Sequence, residues 1–311
     1  MDERYDVVVI GGGPAGLSGA VTLARSRRSV LVVDAGQPRN APAAHMHGFL
    51  SRDGMPPGEL LAVGRTEVER YGGHVVDGSV IDVVATDDGF HVTLADGRSV
   101  SARRLLVTTG LVDELPDVPG VRELWGREVI HCPYCHGWEV RDRAIAVLAS
   151  GPMSTHQALL FRQLSEDVIV FSHTHPPSEE QRAELAARGI RVVDDEVAAL
   201  DVVDGQLRGV RLASGESIPR DAVVVAPRFV SRSQLLASLG VEVVEQPPGI
   251  GTRVVTDPTW RTNVEGVWAA GNITDLSAQV VVAAAGGTAA GAQINADLVA
   301  EDVRRALASV G

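Results

Sequence analysis

The stretch Tyr5-Asp-Val-Val-Val-Ile10, followed by Gly11-Gly-Gly-Pro-Ala-Gly16, decides the fold of this 311-residue chain. The first half is a β-branched run, which is typical of a parallel strand that is buried on both faces. The second half carries glycines in the spacing G-x-G-x-x-G, and residues 17–25 then show helical spacing. Gly11 allows the turn, Gly13 lets the backbone approach a pyrophosphate, and Gly16 lets the helix pack closely on the strand. The pattern therefore predicts a nucleotide-binding turn between a strand and a helix.

A second apolar run, over residues 29–33, ends at Asp34 and completes a strand–helix–strand unit. A carboxylate at this position is placed to accept a hydrogen bond from a ribose hydroxyl, while the N-terminus of the helix faces the phosphates. A glycine-rich turn without a ligand is the alternative. The agreement of strand, helix, second strand and terminal acid favours a dinucleotide site over that alternative.

All 28 basic residues are arginine, because the sequence contains no lysine. This absence excludes Schiff-base mechanisms and removes the lysines that ordinary phosphoryl transfer uses. The 40 acidic residues give a net charge of −12, which argues against a nucleic acid or an anionic membrane as partner. The acidic N-terminus does not resemble a signal peptide, and the longest apolar stretch, 280–292, is too short for a membrane span. Two cysteines are too few for a secreted disulfide framework, so we expect a cytoplasmic enzyme, and the length suggests two domains.

The sequence predicts a second α/β unit after a linker at residues 115–120. Before that linker, residues 75–84, 90–94 and 104–110 are predicted strands. In the second unit the predicted strands are Ala144–Leu148, Val168–Phe171, Ile190–Val193 and Ala222–Ala226, the helices are Met153–Leu164 and Ser178–Arg188, and a hairpin covers Val197–Leu212. After about residue 244 the chain is predicted to rejoin the first domain, with a strand and turn at 266–272 and a helix over 279–300. The predicted fold class is α/β, with two Rossmann-like, three-layer ββα nucleotide-binding domains.

Both cysteines lie in His131-Cys-Pro-Tyr-Cys-His136. The C-x-x-C spacing lets two sulfurs close a small ring, and a neighbouring histidine accepts a thiol proton near neutral pH. A zinc site is a weaker alternative, because structural zinc sites draw ligand pairs from separated segments and six consecutive residues would struggle to surround one ion. An inert cysteine pair is the other alternative. A redox dithiol is favoured over both because the same chain carries a dinucleotide fingerprint, and we expect no metal.

The order of these parts resembles the low-molecular-weight thioredoxin reductase family of flavoproteins. The resemblance covers nearly the whole chain and implies FAD as cofactor and a homodimer. It also implies a discontinuous FAD-binding domain of residues 1–116 and 244–311, into which a domain of residues 117–243 is inserted. The residues that it assigns to FAD are Gly11, Gly13, Pro14, Ala15, Gly16, Asp34, Ala35, Gln37, Arg39, Asn40, His47, Val80, Thr109, Gly110, Gly271, Asn272, Gln279 and Val280.

The second nucleotide site departs from the pattern of the thioredoxin reductases. Where they carry another glycine fingerprint for NADPH, this chain has Ala149-Ser-Gly-Pro-Met-Ser154, which keeps only Gly151. Side chains at the other positions obstruct the backbone approach that a pyrophosphate needs. The arginines that bind the 2′-phosphate of NADPH are replaced by Phe171-Ser-His-Thr-His-Pro-Pro177, in which the two histidines are weak phosphate ligands or ordinary exposed residues. We therefore expect residues 117–243 to form a degenerate NAD(P)H-type domain.

The segment Cys132-Pro-Tyr-Cys-His-Gly-Trp138 is similar to the gliotoxin- and holomycin-type dithiol oxidases. Those flavoenzymes form disulfides in small natural products and pass the electrons to oxygen without NADPH. The resemblance implies a small-molecule dithiol and O2 as partners and H2O2 as product. It further implies that the substrate attacks Cys132, that Cys135 lies nearest the flavin, and that His136 acts as general base and acid.

Two other functions stay open at this stage. One is a thioredoxin reductase that receives electrons from NADPH or from another donor such as ferredoxin. The other is a non-catalytic, flavin-bound redox sensor in which the C-x-x-C switches a protein partner.

Overall fold

The glycine fingerprint joins the central strand of a parallel sheet to its first helix. The computed structural model describes residues 3–247 and 249–310. The first part of the chain forms β1 (Arg4–Ile10), α1 (Pro14–Arg25), β2 (Val30–Asp34), α2 (Pro57–Arg70), β3 (His74–Asp77), β4 (Val80–Thr86), β5 (Gly89–Leu94), β6 (Ser99–Val107) and β7 (Leu111–Glu114). The sheet has the strand order β3-β2-β1-β6-β5-β4. Strands β1, β2, β3 and β6 run parallel to one another, whereas β5 runs antiparallel to both β6 and β4. The buried apolar run therefore forms a central strand, as the sequence predicts.

A second parallel sheet follows in the middle of the chain. Its part of the chain contains α3 (Val121–Leu124), β8 (Val129–Ile130), α4 (Pro133–His136), β9 (Ile145–Leu148), α5 (Ser154–Phe161), β10 (Val168–Phe171), α6 (Glu179–Ala187), β11 (Arg191–Val193), β12 (Val197–Val203), β13 (Gln206–Leu212), β14 (Ser217–Pro219) and β15 (Ala222–Val225). The parallel sheet has the order β11-β10-β9-β15-β8, and β12, β13 and β14 form a separate antiparallel sheet. Ser178 caps α6 and forms a reciprocal capping box with Gln181.

The last part of the chain returns to the first sheet. It forms β16 (Arg228–Ser231), a short 3₁₀ helix (Gln234–Leu239), β17 (Val243–Glu245), β18 (Gly251–Val254), β19 (Val267–Ala269) and α7 (Val280–Val310). Strand β19 pairs in parallel with β6, and β7 and β16 pair with each other where the chain leaves and re-enters the first unit. Together with β17 and β18, these two strands form a four-stranded sheet.

Each parallel sheet is covered by helices on one face and by an antiparallel layer on the other. In the first unit, α1 and α7 pack on one face of the sheet. The two helices also approach each other closely at Gly287, where a Cβ would overlap the Ala15 carbonyl oxygen. The other face packs on β4 and β5 through Val83 and Phe90. In the second unit, α5 and α6 cover one face and the β12–β14 sheet covers the other. This arrangement confirms the α/β fold class with two Rossmann-like units.

Several elements differ from the sequence prediction. The predicted strand over 75–84 is two strands, because residues 78 and 79 belong to neither and the two strands pair with different neighbours, β3 with β2 and β4 with β5. The final helix runs on to Val310, ten residues beyond the predicted end at Ala300. Helix α2 and the four-stranded sheet were not predicted.

Leu236 and Val241 are buried in the same core as Val8 and Val83 of the first sheet. The domain boundaries at residues 117 and 244 stay predictions. Within residues 3–247 and 249–310, no helix has the length and apolar character needed to cross a membrane.

Candidate active site

A cavity of about 1160 Å³ lies between the glycine loop of the first unit and the dithiol segment of the second. Of the residues predicted to bind FAD or to act in catalysis, it is lined by Gly11, Gly13, Pro14, Ala15, Asp34, Ala35, Gln37, Arg39, Asn40, His47, Val80, Thr109, Gly110, Cys132, Cys135, His136, Gly271, Asn272, Gln279 and Val280. The fold therefore brings residues that are far apart in sequence to one site. Gly16 is the exception, because it does not line the cavity.

The glycine loop has the geometry of a phosphate cradle. Gly11 has a φ of +106°, and a Cβ there would lie 2.5 Å from the Thr108 carbonyl oxygen, so only glycine fits. A Cβ on Gly13 would meet nothing within 4 Å, which leaves the N-terminal end of α1 open towards the cavity. Gly16 is buried behind the loop, where a Cβ would overlap the Gly11 carbonyl oxygen. The turn at Gly11, the open space at Gly13 and the close packing at Gly16 match the geometry of a nucleotide-binding turn with this glycine spacing.

Asp34 lies at the end of β2 and is held by two partners. Its Oδ2 accepts a hydrogen bond from Arg65 Nη2 at 2.5 Å, and its Oδ1 accepts one from the Gly36 N–H at 3.2 Å. Arg65 lies on α2 and also pairs with Asp77. The sequence analysis missed Arg65, which fixes the predicted ribose-binding carboxylate in place.

The end of the cavity near α7 is shaped by a turn at Gly271 and Asn272. Gly271 has a φ of +83°, and a Cβ there would lie 2.9 Å from the Ala15 Cβ. Asn272 Nδ2 donates to the carbonyl oxygens of Asp275 and Ala278 at 3.1 and 2.9 Å. Asparagine therefore supplies a donor that the aspartate of the thioredoxin reductases could not, because an ionised carboxylate only accepts hydrogen bonds.

The two cysteines form a close thiol pair at the start of α4. Cys135 Sγ donates a hydrogen bond to Cys132 Sγ at 2.8 Å. This bond, helped by the Tyr134 and Cys135 N–H groups and by the charge of Arg39, lowers the pKa of Cys132 to about 7 although burial opposes it. The same hydrogen bond, together with burial, raises the pKa of Cys135 well above its usual range. The pair therefore contains one thiolate-forming sulfur and one that stays protonated, which is the arrangement of a redox-active dithiol.

Two half-buried histidines flank the dithiol. Burial lowers the pKa of His136, although the Glu139 carboxylate opposes this shift, and its Nε2 is buried without a hydrogen-bond partner. Burial also lowers the pKa of His131, whose Nδ1 lies 3.2 Å from the Val225 carbonyl oxygen and 2.9 Å from Gln157 Nε2. Both imidazoles are therefore neutral at pH 7 and can accept a proton.

Gln157 is a site residue that the sequence analysis missed. Its Nε2 donates to the carbonyl oxygens of His131 and Val225 at 3.0 and 3.2 Å, so it ties the residue before Cys132 to the end of β15. It lies inside a predicted helix directly after Ser154, Thr155 and His156, and no sequence signal distinguishes it from these other polar residues.

His47 connects the first unit to the segment that follows the dithiol. Its Nε2 lies 3.4 Å from the Glu139 carboxylate and its Nδ1 3.2 Å from the Asp53 carboxylate. His47 lines the cavity while its ring nitrogens contact these acids, and its contact with FAD stays a prediction.

The loop that would receive a second nucleotide is closed by its own side chains. The Ser154 hydroxyl donates to the Gly151 carbonyl oxygen at 2.8 Å and accepts from the Gly151 N–H at 3.3 Å. The His175 N–H donates to the Ala149 carbonyl oxygen, and Arg182 forms a bidentate pair with Asp194. The Gly151 N–H, a donor that a nucleotide phosphate could use, and the Arg182 guanidinium therefore already have partners.

The donor groups of the site do not form a metal-binding set. Among residues 3–247 and 249–310, no group of three or more His, Cys, Asp or Glu side chains is arranged to hold a metal ion.

Comparison with known proteins places this architecture in one family. The family model for pyridine nucleotide-disulphide oxidoreductases matches residues 5–287. The chain belongs to that family. Among its relatives is thioredoxin reductase tcpT of Claviceps purpurea, which is 32% identical over 310 residues and 95% of each chain.

Solved structures agree with this assignment. The crystal structure of HlmI superposes with a TM-score of 0.92 at 48% identity and covers 99% of this chain and 97% of that one. The oxidoreductase from Agrobacterium tumefaciens gives a TM-score of 0.89 at 38% identity, with 95% and 99% covered. This member of the pyridine nucleotide-disulphide oxidoreductase family is thus a thioredoxin-reductase-like, flavin-dependent thiol/disulfide oxidoreductase.

Proposed function

We propose that the protein is an FAD-dependent dithiol oxidase, which closes an intramolecular disulfide in a small-molecule dithiol and uses O2 as electron acceptor. One observation carries this proposal. The dithiol shares its cavity with the glycine loop of the first unit, whereas the corresponding loop of the second unit is closed by Ser154. The dithiol can therefore pass electrons to a cofactor in the shared cavity, whereas the second unit offers no open loop for NADPH as electron donor.

The residues of the first unit fit FAD. The open position at Gly13 and the uncapped N-terminus of α1 suit a pyrophosphate, and Asp34 suits a ribose. The turn at Gly271 and the start of α7 at Val280 line the part of the cavity that also contains the dithiol. When bound, FAD would supply the two-electron acceptor that the cysteines lack and the reactivity towards O2.

The two cysteines divide the thiol chemistry between them. With Cys132 and Cys135 joined as a disulfide, a substrate thiolate attacks Cys132 Sγ, the S–S bond breaks, and Cys135 receives the electron pair and a proton. The second substrate thiol then attacks the substrate sulfur of the mixed disulfide, and Cys132 leaves. Because its pKa is lowered to about 7, Cys132 is a good leaving group. The substrate loses two electrons and two protons, and these finally leave on O2 as H2O2.

His136 is placed to handle the protons. Burial lowers its pKa, so the imidazole is neutral at pH 7 and can accept the proton of a substrate thiol before returning it.

A thioredoxin reductase is the second candidate. The name of the Claviceps purpurea relative favours it, since that protein is called a thioredoxin reductase. The closed loop at Gly151 and the absence of a free arginine after β10 argue for the oxidase.

Oxygen uptake separates the two candidates. The FAD-loaded enzyme is mixed with dithiothreitol or 2,3-dimercaptopropanol in air without NADPH, and O2 consumption and H2O2 are measured. We expect stoichiometric uptake, which Cys132→Ser and Cys135→Ser abolish and His175→Ala, in the exposed loop after β10, leaves unchanged. In a parallel anaerobic experiment, rapid bleaching of the flavin by micromolar NADPH, with no uptake on any dithiol, would reject the oxidase in favour of the reductase.

A further inference from the structure

Arg39 extends from the loop after β2 to both strands that connect the two units. Its Nε and Nη2 donate to the two carboxylate oxygens of Asp113 at 2.8 and 2.7 Å. Its guanidinium also lies over the ring of Phe229, with Cζ 5.0 Å from the ring centroid. Asp113 on β7 and Phe229 on β16 are directly paired across the two strands. The side chain of Asp113 is only 8% exposed and that of Arg39 28%, so this ion pair is largely removed from water.

The same cluster reaches the dithiol. Phe229 packs edge-on against His131 at 5.2 Å between ring centroids, and His131 directly precedes Cys132. Arg39, Asp113, Phe229 and both cysteines all line the one cavity. The other titratable groups near the thiol pair are His131, on which Asp113 also acts, and His136, on which Glu139 and His47 act. Among the described residues, Arg39 is a cation whose charge acts on both thiols.

We propose that Arg39 is a positioning residue that holds a positive charge beside the dithiol and stabilises the Cys132 thiolate, and that Asp113 limits how strongly this charge acts. The bidentate pair and the Phe229 ring fix the guanidinium, so that its charge stays at one distance from the sulfurs. The inference concerns the thiol pair itself and holds for either direction of electron flow. It does not depend on the dithiol-oxidase proposal.

The charge has a defined chemical effect. The hydrogen bond from Cys135 and the nearby N–H groups lower the pKa of Cys132 most, and the Arg39 charge lowers it further. The pKa of His131 is lowered mainly by burial and also by the Arg39 charge. Stabilising the thiolate favours the reduced pair over the disulfide and makes the sulfur a better leaving group. Removal of Arg39 should weaken these properties, and removal of the Asp113 charge should strengthen them.

Thiol alkylation tests this prediction with variants that shift the thiolate in opposite directions. Reduced, FAD-loaded enzyme is treated anaerobically with iodoacetamide at a pH of about 6, and alkylation of Cys132 is followed by peptide mass spectrometry. We expect Arg39→Gln to slow alkylation about three-fold, as a change of about half a pKa unit would. Asp113→Asn should accelerate it by up to about three-fold. Arg39→Lys, which keeps the charge but not the bidentate geometry, should stay within about two-fold of the parent rate.

A second readout is the equilibrium of the thiol pair with glutathione. Arg39→Gln should move it about three-fold towards the disulfide, and Asp113→Asn should move it towards the thiols. A purely structural role would make both variants less stable and shift both rates in the same direction. That result, or an unchanged rate in Arg39→Gln, would overturn the proposal. If Arg39→Gln does not fold, Asp113→Asn and Arg39→Lys still decide it, because faster alkylation in the first and near-parent alkylation in the second are both required.

Discussion

His47 Nε2 lies 3.4 Å from the Glu139 carboxylate, which joins the loop after β2 to the segment that directly follows the dithiol. His47 lines the same cavity as the two cysteines. His47 is also held by Asp53, whose carboxylate accepts from the Gly48 N–H. The first unit thus contacts the active segment through a titratable side chain.

This contact should contribute little to stability and depend on salt. His47 is 25% exposed and Glu139 44% exposed, and ion pairs of this kind contribute about 0.2–1 kcal/mol. We expect His47→Ala and Glu139→Gln each to lower the free energy of unfolding by less than about 1 kcal/mol. The effect should be smaller at high salt, where the charges are screened. Urea unfolding at two salt concentrations measures it, and a loss that does not vary with salt would contradict the ion pair.

Thiol reactivity should follow the two different cysteine pKa values. Because the pKa of Cys132 is lowered to about 7, its thiolate forms as the pH rises through that value, while Cys135 stays protonated. Alkylation of the reduced protein should therefore occur at Cys132 with a midpoint near pH 7. Cys135→Ala removes the strongest cause of the shift and should slow alkylation at pH 7 about ten-fold. Equal labelling of both cysteines at pH 7 would show that the hydrogen bond is not directed as described.

The same shifts give the reduced protein a pH dependence of stability. A thiol whose pKa is lowered on folding adds stability above its unfolded value, and this stability is lost as the pH falls through about 7. The raised pKa of Cys135 acts in the opposite sense, because the folded state resists ionisation as the pH rises past the usual thiol value. The thiol contribution to stability should therefore rise between about 7 and 8.5, reach its maximum near the ordinary cysteine value of about 8.5, and fall at higher pH. Cys132→Ala and Cys135→Ala should each flatten this maximum in denaturant titrations, because each removes the hydrogen bond that shifts both pKa values.

His136 should be needed for turnover but not for folding. Its lowered pKa keeps it neutral and basic to lower pH than an ordinary histidine, so activity should persist below pH 6.5. Replacement by alanine should reduce dithiol oxidation about 10²–10⁴-fold, which is the usual effect of removing a general base. His175→Ala, on an exposed loop, is the matched control. The result is checked by oxygen uptake across pH, and an equal loss in both variants would remove His136 from the mechanism.

The sequence predicted well those features that depend on neighbouring residues. The glycine spacing requires backbone geometry that only glycine provides at Gly11, and the C-x-x-C spacing brings two sulfurs to 2.8 Å. Strands with continuous apolar runs, such as β1 and β10, were found because burial on both faces leaves a clear pattern. Helix α2 was missed because only Pro57 and Val68 of its residues are buried, which leaves no apolar periodicity to detect.

The rest of the site depends on contacts between distant parts of the chain. Arg65 reaches Asp34 from a helix 31 residues away, and Arg39 reaches Asp113 across 74 residues. Strands β16 to β18 have three or four residues each, too few to show a period of two. No local pattern indicates such pairs. The sequence therefore predicted the glycine loop and the dithiol, but not the distant side chains that hold Asp34 and Arg39 in place.

Asn272 should resist replacement by the aspartate of the thioredoxin reductases. Its Nδ2 donates to the carbonyl oxygens of Asp275 and Ala278 in the turn before α7. A carboxylate would leave both oxygens without a donor and repel them, so we expect Asn272→Asp to destabilise the protein by about 1–3 kcal/mol. Thermal unfolding at neutral and acidic pH measures the effect. Protonation at low pH should recover part of the loss, and an equally stable variant at every pH would contradict this role.

Opening the second loop should restore a response to NADPH only if phosphate ligands are added as well. The Ser154 hydroxyl occupies the Gly151 backbone groups, and the segment after β10 offers no arginine. We expect Ser154→Gly combined with His173→Arg and His175→Arg to increase flavin bleaching by NADPH at least about ten-fold, because arginine binds phosphate through charge-assisted hydrogen bonds. Ser154→Ala, which only removes the hydroxyl, should change bleaching little. Stopped-flow spectroscopy under anaerobic conditions measures these rates. If NADPH bleaches the flavin of the parent protein as fast as that of the triple variant, the closed loop does not prevent NADPH binding, and NADPH can serve as electron donor.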